Sequence, residues 1–279
     1  MTGTLYVVAT PIGNLADASP RSIETLRSAD VIACEDTRTT RTLLAHYGIA
    51  ARTVALHEHN ERDAARKLIA ALRDGKNVAL VSDAGTPALA DPGAWLVAEA
   101  HRAGIAVSPL PGPSAAAAAF SASGFAASRF LFAGFLPAQP AARRKALKAL
   151  DLPWPLVLYE APHRMRETLE DLLECFGPER EIAVARELSK KFEEVARMPL
   201  GDAPAWLRAR AHRDQGEFVL VLAAGEQRGA RHVDAERVLE VLLAALTPSE
   251  AAKLAARITG LPKSELYRRA LHRSRGGAK

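Results

Sequence analysis

The sequence of 279 residues predicts an α/β protein with two α/β domains and a small helical C-terminal tail. Three observations lead there. Short apolar runs recur from residue 5 to residue 222, and several are continuous rather than alternating, as in strands buried on both faces. Helical stretches separate many of them, which is the alternation of an α/β architecture. Beyond residue 231 the pattern turns purely helical.

Taken in order, the strand runs are Leu5–Ala9, Val31–Ala33, Val54–Leu56, Val78–Val81, Ala106–Leu110, Phe130–Phe132, Leu156–Tyr159, Ile182–Ala185 and Phe218–Leu222. Helical stretches between them include Arg62–Arg73, Ala94–Ala103 and Arg164–Cys175. Ser121–Arg129 is rich in Ser, Ala and Gly and reads as the joint between two domains. The expected division is 1–123 and 124–228 for the α/β domains and 229–279 for the tail. In the tail, Thr247-Pro248-Ser249-Glu250 is a capping box with proline at the first helical position. A helix follows through Ala251–Ile258, Gly260-Leu261-Pro262 breaks it, and a second helix runs through Leu266–His272. Helix, short turn, helix is also the outline of a nucleic-acid-binding module.

Composition narrows the classes. With 48% hydrophobic and 25% charged residues, the chain is globular and long enough to bury a core without staples. Cys34 and Cys175 form no C-x-x-C pair, which argues against zinc and against a disulfide framework. The start of the chain lacks the pattern of a signal peptide and no apolar run is long enough to span a membrane, so a cytoplasmic protein is expected. The net charge of +5 falls entirely within residues 226–279, leaving the rest neutral. A neutral body with a basic tail suits an anionic macromolecule gripped at one end. Arg143, Arg144, Lys145 and Lys148 form a second basic cluster that could serve instead.

In open α/β sheets, ligands bind beyond the carboxyl ends of the strands. Four such ends carry Gly-Pro loops: Thr10-Pro11-Ile12-Gly13-Asn14-Leu15, Ser82–Pro87 continuing to Asp91-Pro92-Gly93, Pro111-Gly112-Pro113-Ser114, and Glu160-Ala161-Pro162-His163-Arg164. Each loop alone is more often scaffold than site, but four on one rim make a preformed pocket. The G-x-G-x-x-G and P-loop fingerprints are absent, as are H-E-x-x-H and the deaminase pattern. His57-Glu58-His59-Asn60 invites a metal reading, but no metal is expected.

The loops resemble a family. LYVVATPIGNLAD (Leu5–Asp17), EDTRTTRTLL (Glu35–Leu44), HEHNE (His57–Glu61), SDAGTPALADPG (Ser82–Gly93), LPGPSA (Leu110–Ala115), FAGFLP (Phe132–Pro137), LYEAPHR (Leu158–Arg164), ARELSKKFEE (Ala185–Glu194) and GEFVLVLAAG (Gly216–Gly225) occur in that order. They resemble the ribosomal RNA small subunit methyltransferase I family of the tetrapyrrole methylase superfamily. The resemblance implies two α/β domains with the cofactor cleft between them, usually as a homodimer. It implies S-adenosyl-L-methionine as methyl donor and a cytidine ribose in the decoding region of 16S rRNA as acceptor. By motif position, Pro11, Asp83, Ala84, Gly85, Leu89, Ser114 and Ala115 would hold the donor, and Tyr159 and Leu188 would close over it. The chain departs from the family pattern at Ala90 (usually Ser), Gln139 (often Lys) and Ser189 (usually Thr).

Transfer to a hydroxyl requires alignment of the methyl carbon with the oxygen and help in losing the proton, from a base or by stabilising the alkoxide. The candidates are the polar groups of these motifs, with Glu35, Arg38, Glu58, His163 and Lys190 foremost. Asp36, His57, Asn60, Glu160, Arg164, Arg186 and Glu187 stand beside them. For each carboxylate–arginine set, an ordinary ion pair fixing a loop is the competing reading. The rival activity is S-adenosylmethionine-dependent methylation of a porphyrin or corrin on the same scaffold, since fold alone does not decide function. A third reading, a helix-turn-helix DNA binder, leaves the Gly-Pro loops unexplained. The expected partner is 16S rRNA within the 30S subunit.

Overall fold

The structure, a computed structural model, describes residues 2–57, 59–225 and 235–276. Contacts divide the chain into two units, residues 1–224 and 225–279.

The first unit holds two five-stranded sheets. In the first, β1 (Thr4–Val8), β2 (Val31–Cys34), β3 (Thr53–Ala55), β4 (Val78–Leu80) and β5 (Ala106–Leu110) are all parallel, in the order β3-β2-β4-β1-β5. The continuous apolar runs have their expected cause: β2 and β4 lie inside the sheet with every residue buried. Helices α1 (Pro20–Ser28) and α2 (Thr37–His46) pack Leu26 and Leu44 on one face of the sheet. Helices α3 (Glu61–Arg73) and α4 (Ala94–Arg102) pack Leu68, Leu72 and Leu96 on the other. Pro109 lies in β5, at the sheet edge, where its missing N–H is not needed.

The second sheet is mixed. It comprises β6 (Leu131–Phe135), β7 (Leu156–Glu160), β8 (Glu181–Arg186), β9 (Glu194–Pro199) and β10 (Phe218–Leu222), in the order β6-β7-β10-β8-β9. Only β6 and β7 run parallel. Helices α6 (Pro140–Ala149), α7 (Met165–Phe176) and α8 (Ala203–Arg208) cover one face through Leu147, Leu169, Leu172 and Leu207. The other face is built of small residues. The alanine helix α5 (Ala115–Ala122) lies on it, setting Ala116 and Ala119 against Val157, Ala183, Ala185, Val219 and Val221. Thus α5 follows the last strand of the first sheet yet packs on the second, and the segment 123–130 leads from it into β6.

The strand β9 has no counterpart among the sequence runs. Its residues Glu-Val-Ala-Arg-Met-Pro alternate half-buried and exposed, so no continuous apolar run marks it. It forms the sheet edge against β8, with Arg197 paired to Glu181 at 2.7 Å across the two strands. The basic cluster at 143–148 has a structural member. Arg143 is 1% exposed, its Nε donates to Asp171 at 2.5 Å, and a second guanidinium nitrogen reaches Glu167 at 3.2 Å. Arg144 shares Asp171 at 2.7 Å. Both arginines tie α6 to α7, which removes the buried Arg143 from any RNA-facing surface.

The second unit is helical: α9 (Ala235–Leu243), α10 (Pro248–Thr259) and α11 (Lys263–Gly276). They share an apolar centre of Leu239, Ala251, Ala255, Leu266 and Ala270. The capping box of α10 is formed by Thr247 and Glu250 in both directions, and Gly260 closes the helix. The helix α11 begins at Lys263, earlier than its apolar pattern alone marks. No described helix is long and apolar enough to cross a membrane.

Candidate active site

The strand order places the site. From β1 the chain leaves toward α1 on one face of the first sheet; from its neighbour β4 it leaves toward α4 on the other. The loops after β1 and β4 therefore splay apart at a crevice, the switch point where ligands bind in such sheets. Backbone hydrogen bonds zip its floor. Thr10 N–H donates to the Gly85 carbonyl at 2.9 Å and Gly85 N–H returns to the Thr10 carbonyl at 3.0 Å. The buried Thr10 hydroxyl donates to the Ser82 carbonyl at 3.1 Å. Thr86 Oγ1 donates to the Pro113 carbonyl at 3.0 Å, joining the loop after β5. Asp83 Oδ1 accepts from Asp36 N–H at 3.1 Å, joining the loop after β2. Gly85 sits at φ +86°, a conformation side chains rarely adopt.

The second sheet supplies the opposite wall. A cleft of about 480 Å³ is lined from the first half by Ile12, Glu35, Asp83–Thr86, Leu89, Asp91, Ser114 and Ala115. From the second half come Phe135, Tyr159–Pro162, Leu188 and Glu217–Val219. Two lining leucines are presented alike. Ala88 and Ala90 flank Leu89 at φ +65° and +66°, and Glu187 and Ser189 flank Leu188 at φ +51° and +67°. Non-glycine residues hold such backbone only where their surroundings impose it, and these positions cluster at functional sites. The imposing groups differ. Around Leu188 they are charges: Glu187 accepts from Lys190 Nζ at 2.9 Å and from Glu217 N–H at 2.9 Å, and Lys190 also reaches Glu217 at 2.8 Å. The Ser189 hydroxyl bonds Asp17 of the loop after β1, so the departure from Thr keeps the oxygen that is used.

The first wall is acidic. Burial, then the charges of Asp91, Asp83 and Asp36, raise the Glu35 carboxyl above its ordinary range. Burial likewise raises Asp91, partly offset by a hydrogen bond from Ser82. Burial raises the Tyr159 phenol, although the Ala116 N–H of α5 donates to it. Asp36 behaves oppositely. Its hydrogen bonds from Arg38 pull it down to about 2, and they fix both side chains at the start of α2.

Of the donor-site residues expected from sequence, Asp83, Ala84, Gly85, Leu89, Ser114, Ala115, Tyr159 and Leu188 line the cleft together. In the loop after β1 the lining residue is Ile12, next to Pro11. Among the described polar candidates Glu35 and Glu160 line the cleft. Arg38 is turned outward, its side chain 87% exposed and paired with Asp36. His163 lies exposed in the short turn after β7. Lys190 holds the Leu188 loop through its two ion pairs. Glu58 lies outside the described residues. Glu160 is 2% exposed and its oxygens are occupied by Ala161 N–H, the Thr168 hydroxyl and Arg164, so it anchors the loop. Asn60 accepts from His57 N–H at 2.9 Å and donates to the Ala55 carbonyl at 3.1 Å. Sequence reading missed Asp91, Phe135 and Glu217 on the lining. Asp91 was in view in the motif SDAGTPALADPG, and Phe135 in FAGFLP.

The cleft volume falls within the ~300–1,000 Å³ of small-molecule sites. Its apolar side chains, exposed backbone groups and acidic wall suit a ligand with a flat ring, polar edges and a positive centre.

Comparisons with known proteins agree with this fold. Residues 4–204 match the family model of tetrapyrrole (corrin/porphyrin) methylases, and residues 230–274 that of the RsmI C-terminal HTH domain. The chain is 49% identical over 276 residues to ribosomal RNA small subunit methyltransferase I of Pseudomonas aeruginosa, covering 97% of this chain and 98% of that one. It is 50% identical over 268 residues to the protein of that name from Mesorhizobium japonicum, covering 96% and 91%. Among solved structures, uroporphyrin-III-C-methyltransferase from Thermus thermophilus aligns with TM-score 0.55 at 24% identity, covering 79% of this chain and 94% of that one. Diphthine synthase aligns with TM-score 0.60 at 19% identity, covering 79% and 90%. At such identities these two speak for the fold.

Proposed function

We propose, from the premise that this chain belongs to the ribosomal RNA small subunit methyltransferase I family of the tetrapyrrole methylases, that it methylates the 2′-hydroxyl of a cytidine in 16S rRNA, cytidine 1402. S-adenosyl-L-methionine supplies an already activated methyl group on a positively charged sulfur. Gly85, Ala84, Leu89, Ser114, Ala115, Tyr159 and Leu188, with Asp83 at the rim, hold that donor. The acidic wall favours its positive centre and, for the same reason, turns phosphates away from the cleft. The acceptor therefore enters as ribose and base, and the grip on the RNA backbone falls to the basic tail. The single observation that carries the reading is the cleft itself, where eight of the residues expected to hold the donor line one cavity.

Glu35 takes the hydroxyl proton. Among the foremost polar candidates that are described it is the one on the lining, and its raised pKa makes its carboxylate a stronger base than an ordinary glutamate. The work of the remaining residues is positional: Lys190 and Glu187 fix the Leu188 loop, and Arg38 fixes the start of α2 behind Glu35. The substrate is the RNA within the 30S subunit, the enzyme acts as a homodimer, and its compartment is the cytoplasm. Residues 1–123 and 124–228 form the two catalytic halves, with 229–279 as the RNA-gripping part.

Incubation with labelled donor and 30S subunits, naked 16S rRNA or a porphyrinogen tests the reading. Label in a cytidine ribose of the subunit RNA is expected; label in the porphyrinogen alone would overturn it. A subunit carrying 2′-deoxycytidine at the target should accept no methyl group at that nucleotide.

A further inference from the structure

Phe135 is out of place for a large apolar residue: it is 56% exposed, at the mouth of the cleft. Its position is set by a backbone irregularity. Along β6, Phe132 pairs with Val157 of β7, but the next pairs are Gly134 with Leu158 and Phe135 with Tyr159. Ala133 is thus an extra residue, a β-bulge, with Gly134 at φ +62°. Residues three apart on a regular strand point to opposite faces. The bulge cancels that inversion and puts Phe132 and Phe135 on the same face, both edge-on to Tyr159, at 4.9 and 5.5 Å between ring centres. Without the bulge Phe135 would pair with Glu160 and face the covered side of the sheet. The irregularity costs ladder regularity, and what it gains is one aromatic ring aimed into the cleft with more than half its surface open.

We propose that Phe135 is the stacking platform for the nucleobase of the acceptor nucleotide, holding it unstacked from its RNA neighbours so that its ribose reaches the cleft. This rests on the reading of the protein as an RNA ribose methyltransferase. A ribose hydroxyl inside folded RNA becomes reachable when its nucleotide is splayed out, and proteins hold splayed bases on aromatic faces. The acidic wall disfavours holding the nucleotide through phosphate, and an uncharged, flat contact suits this mouth. Most of the proposed donor-holding residues lie on other lining segments, at Gly85, Ser114 and Leu188, while Tyr159 stands between Phe132 and Phe135. Phe135 stands at the outer end of the Phe132–Tyr159–Phe135 series, with Leu89, 44% exposed, on the opposite lining.

The test compares Phe135→Leu and Phe135→Trp with the unaltered protein, on 30S subunits never methylated at the target. Leucine keeps the apolar bulk and removes the π face; tryptophan keeps the face. For Phe135→Leu, kcat/KM for subunits is expected to fall about tenfold or more, the size of a lost base–aromatic stack, mainly through KM. Donor affinity by calorimetry, melting temperature and sedimentation should not move, and Phe135→Trp should restore kcat/KM. Unchanged kcat/KM in Phe135→Leu overturns the inference. So does donor affinity that falls in step with kcat/KM, which would put the ring against the donor, or a change in sedimentation, which would put it in a subunit contact. In each of these cases the unaltered protein still methylates RNA, so the functional reading survives. An unaltered protein that methylates no RNA sinks both.

Discussion

The two leucine-bearing loops of the cleft reach one geometry by different means. The Leu89 loop of the first half is held by backbone: Gly85 and Thr10 exchange hydrogen bonds, and Thr86 binds the Pro113 carbonyl. The Leu188 loop of the second half is held by side-chain charge, through Glu187, Lys190 and Glu217. A backbone clasp is fixed by conformation and indifferent to pH. A charge clasp depends on ionisation and is weakened by salt where exposed. The acidic groups on the two sides also titrate in opposite senses. Burial pushes Glu35 up, so what it contributes to stability is present below the ordinary glutamate pKa and is lost as pH rises through its raised value. Burial also pushes Glu187 upward, but the Glu217 N–H and Lys190 outweigh it and hold it low. Its contribution is present above the ordinary pKa and is lost as pH falls through its lowered value.

Breaking the backbone clasp should have the largest effect. Gly85→Val places a β-branched side chain at φ +86°, with its Cβ 3.4 Å from Ile12 and 3.7 Å from the Pro113 carbonyl. Donor binding by calorimetry is expected to vanish while circular dichroism keeps the folded signature. Gly85→Ala, with less bulk and the same backbone conflict, should retain weak binding. Donor affinity equal to the unaltered protein in folded Gly85→Val would remove the loop from the donor site.

Glu35→Gln comes next. The amide keeps size and polarity but accepts no proton, so kcat should fall about 10²–10⁴-fold with donor affinity preserved. In the unaltered enzyme the rate should climb with pH through a carboxylate titrating above the ordinary glutamate value, because only the ionised form acts as base. The variant should lose that limb. A limb that persists in Glu35→Gln would move the base to another cleft acid, with Asp91 first in line.

Breaking the charge clasp should cost less. Glu187→Gln and Lys190→Met each release part of the Leu188 loop, and donor affinity should drop several-fold in both. The double variant should be little worse than either single one, since both remove the same contact. Additive losses would show that the two side chains act separately. Donor binding in the unaltered protein should also weaken as pH falls below the ordinary glutamate range, whereas the Gly85–Thr10 clasp should not respond.

The contrast between the loops marks what the sequence made legible. Strands β2, β4 and β10 lie with all residues buried, so their apolar runs were plain, and the glycines and prolines at four strand ends announced the rim. Gly85 belongs to that class of signal. The charge clasp does not: Glu187 and Ser189 are not residues that advertise left-handed backbone, and nothing local pairs Glu187 with Glu217 some thirty positions on. Nor did Lys190 differ on paper from Glu35, although one supports a loop and the other lines the cleft. The strand β9 stayed hidden because an edge strand needs no continuous apolar run. The bulge before Phe135 is set by three-dimensional pairing with β7, which no local pattern encodes.

The smallest expected effect sharpens the comparison at the tail, whose charge we propose serves binding and not loop geometry. In α11, Arg268 is exposed, whereas Arg269 pairs with Glu265 one turn earlier. Arg273, also expected to track phosphate, lies with its side chain outside the described residues. An exposed arginine that meets a phosphate releases counterions, and each such contact contributes about one unit to the slope of log affinity against log salt. An arginine committed to a neighbouring carboxylate supports its helix by about 0.3–0.5 kcal/mol. Arg268→Ala should therefore weaken RNA binding across sequences and lower the salt slope by about one, with an unchanged melting curve. Arg269→Ala should lower the melting temperature slightly and change the slope less. Donor affinity should be unchanged in both, because the residues proposed to hold the donor, Gly85 and those of the Leu188 loop among them, belong to the first unit and not to α11. Titrating each variant with 16S rRNA at several salt concentrations, beside a melting curve, reads both quantities. An unaltered slope in a stable Arg268→Ala variant would take the phosphate grip away from this face of α11 and turn the search to the exposed Lys145.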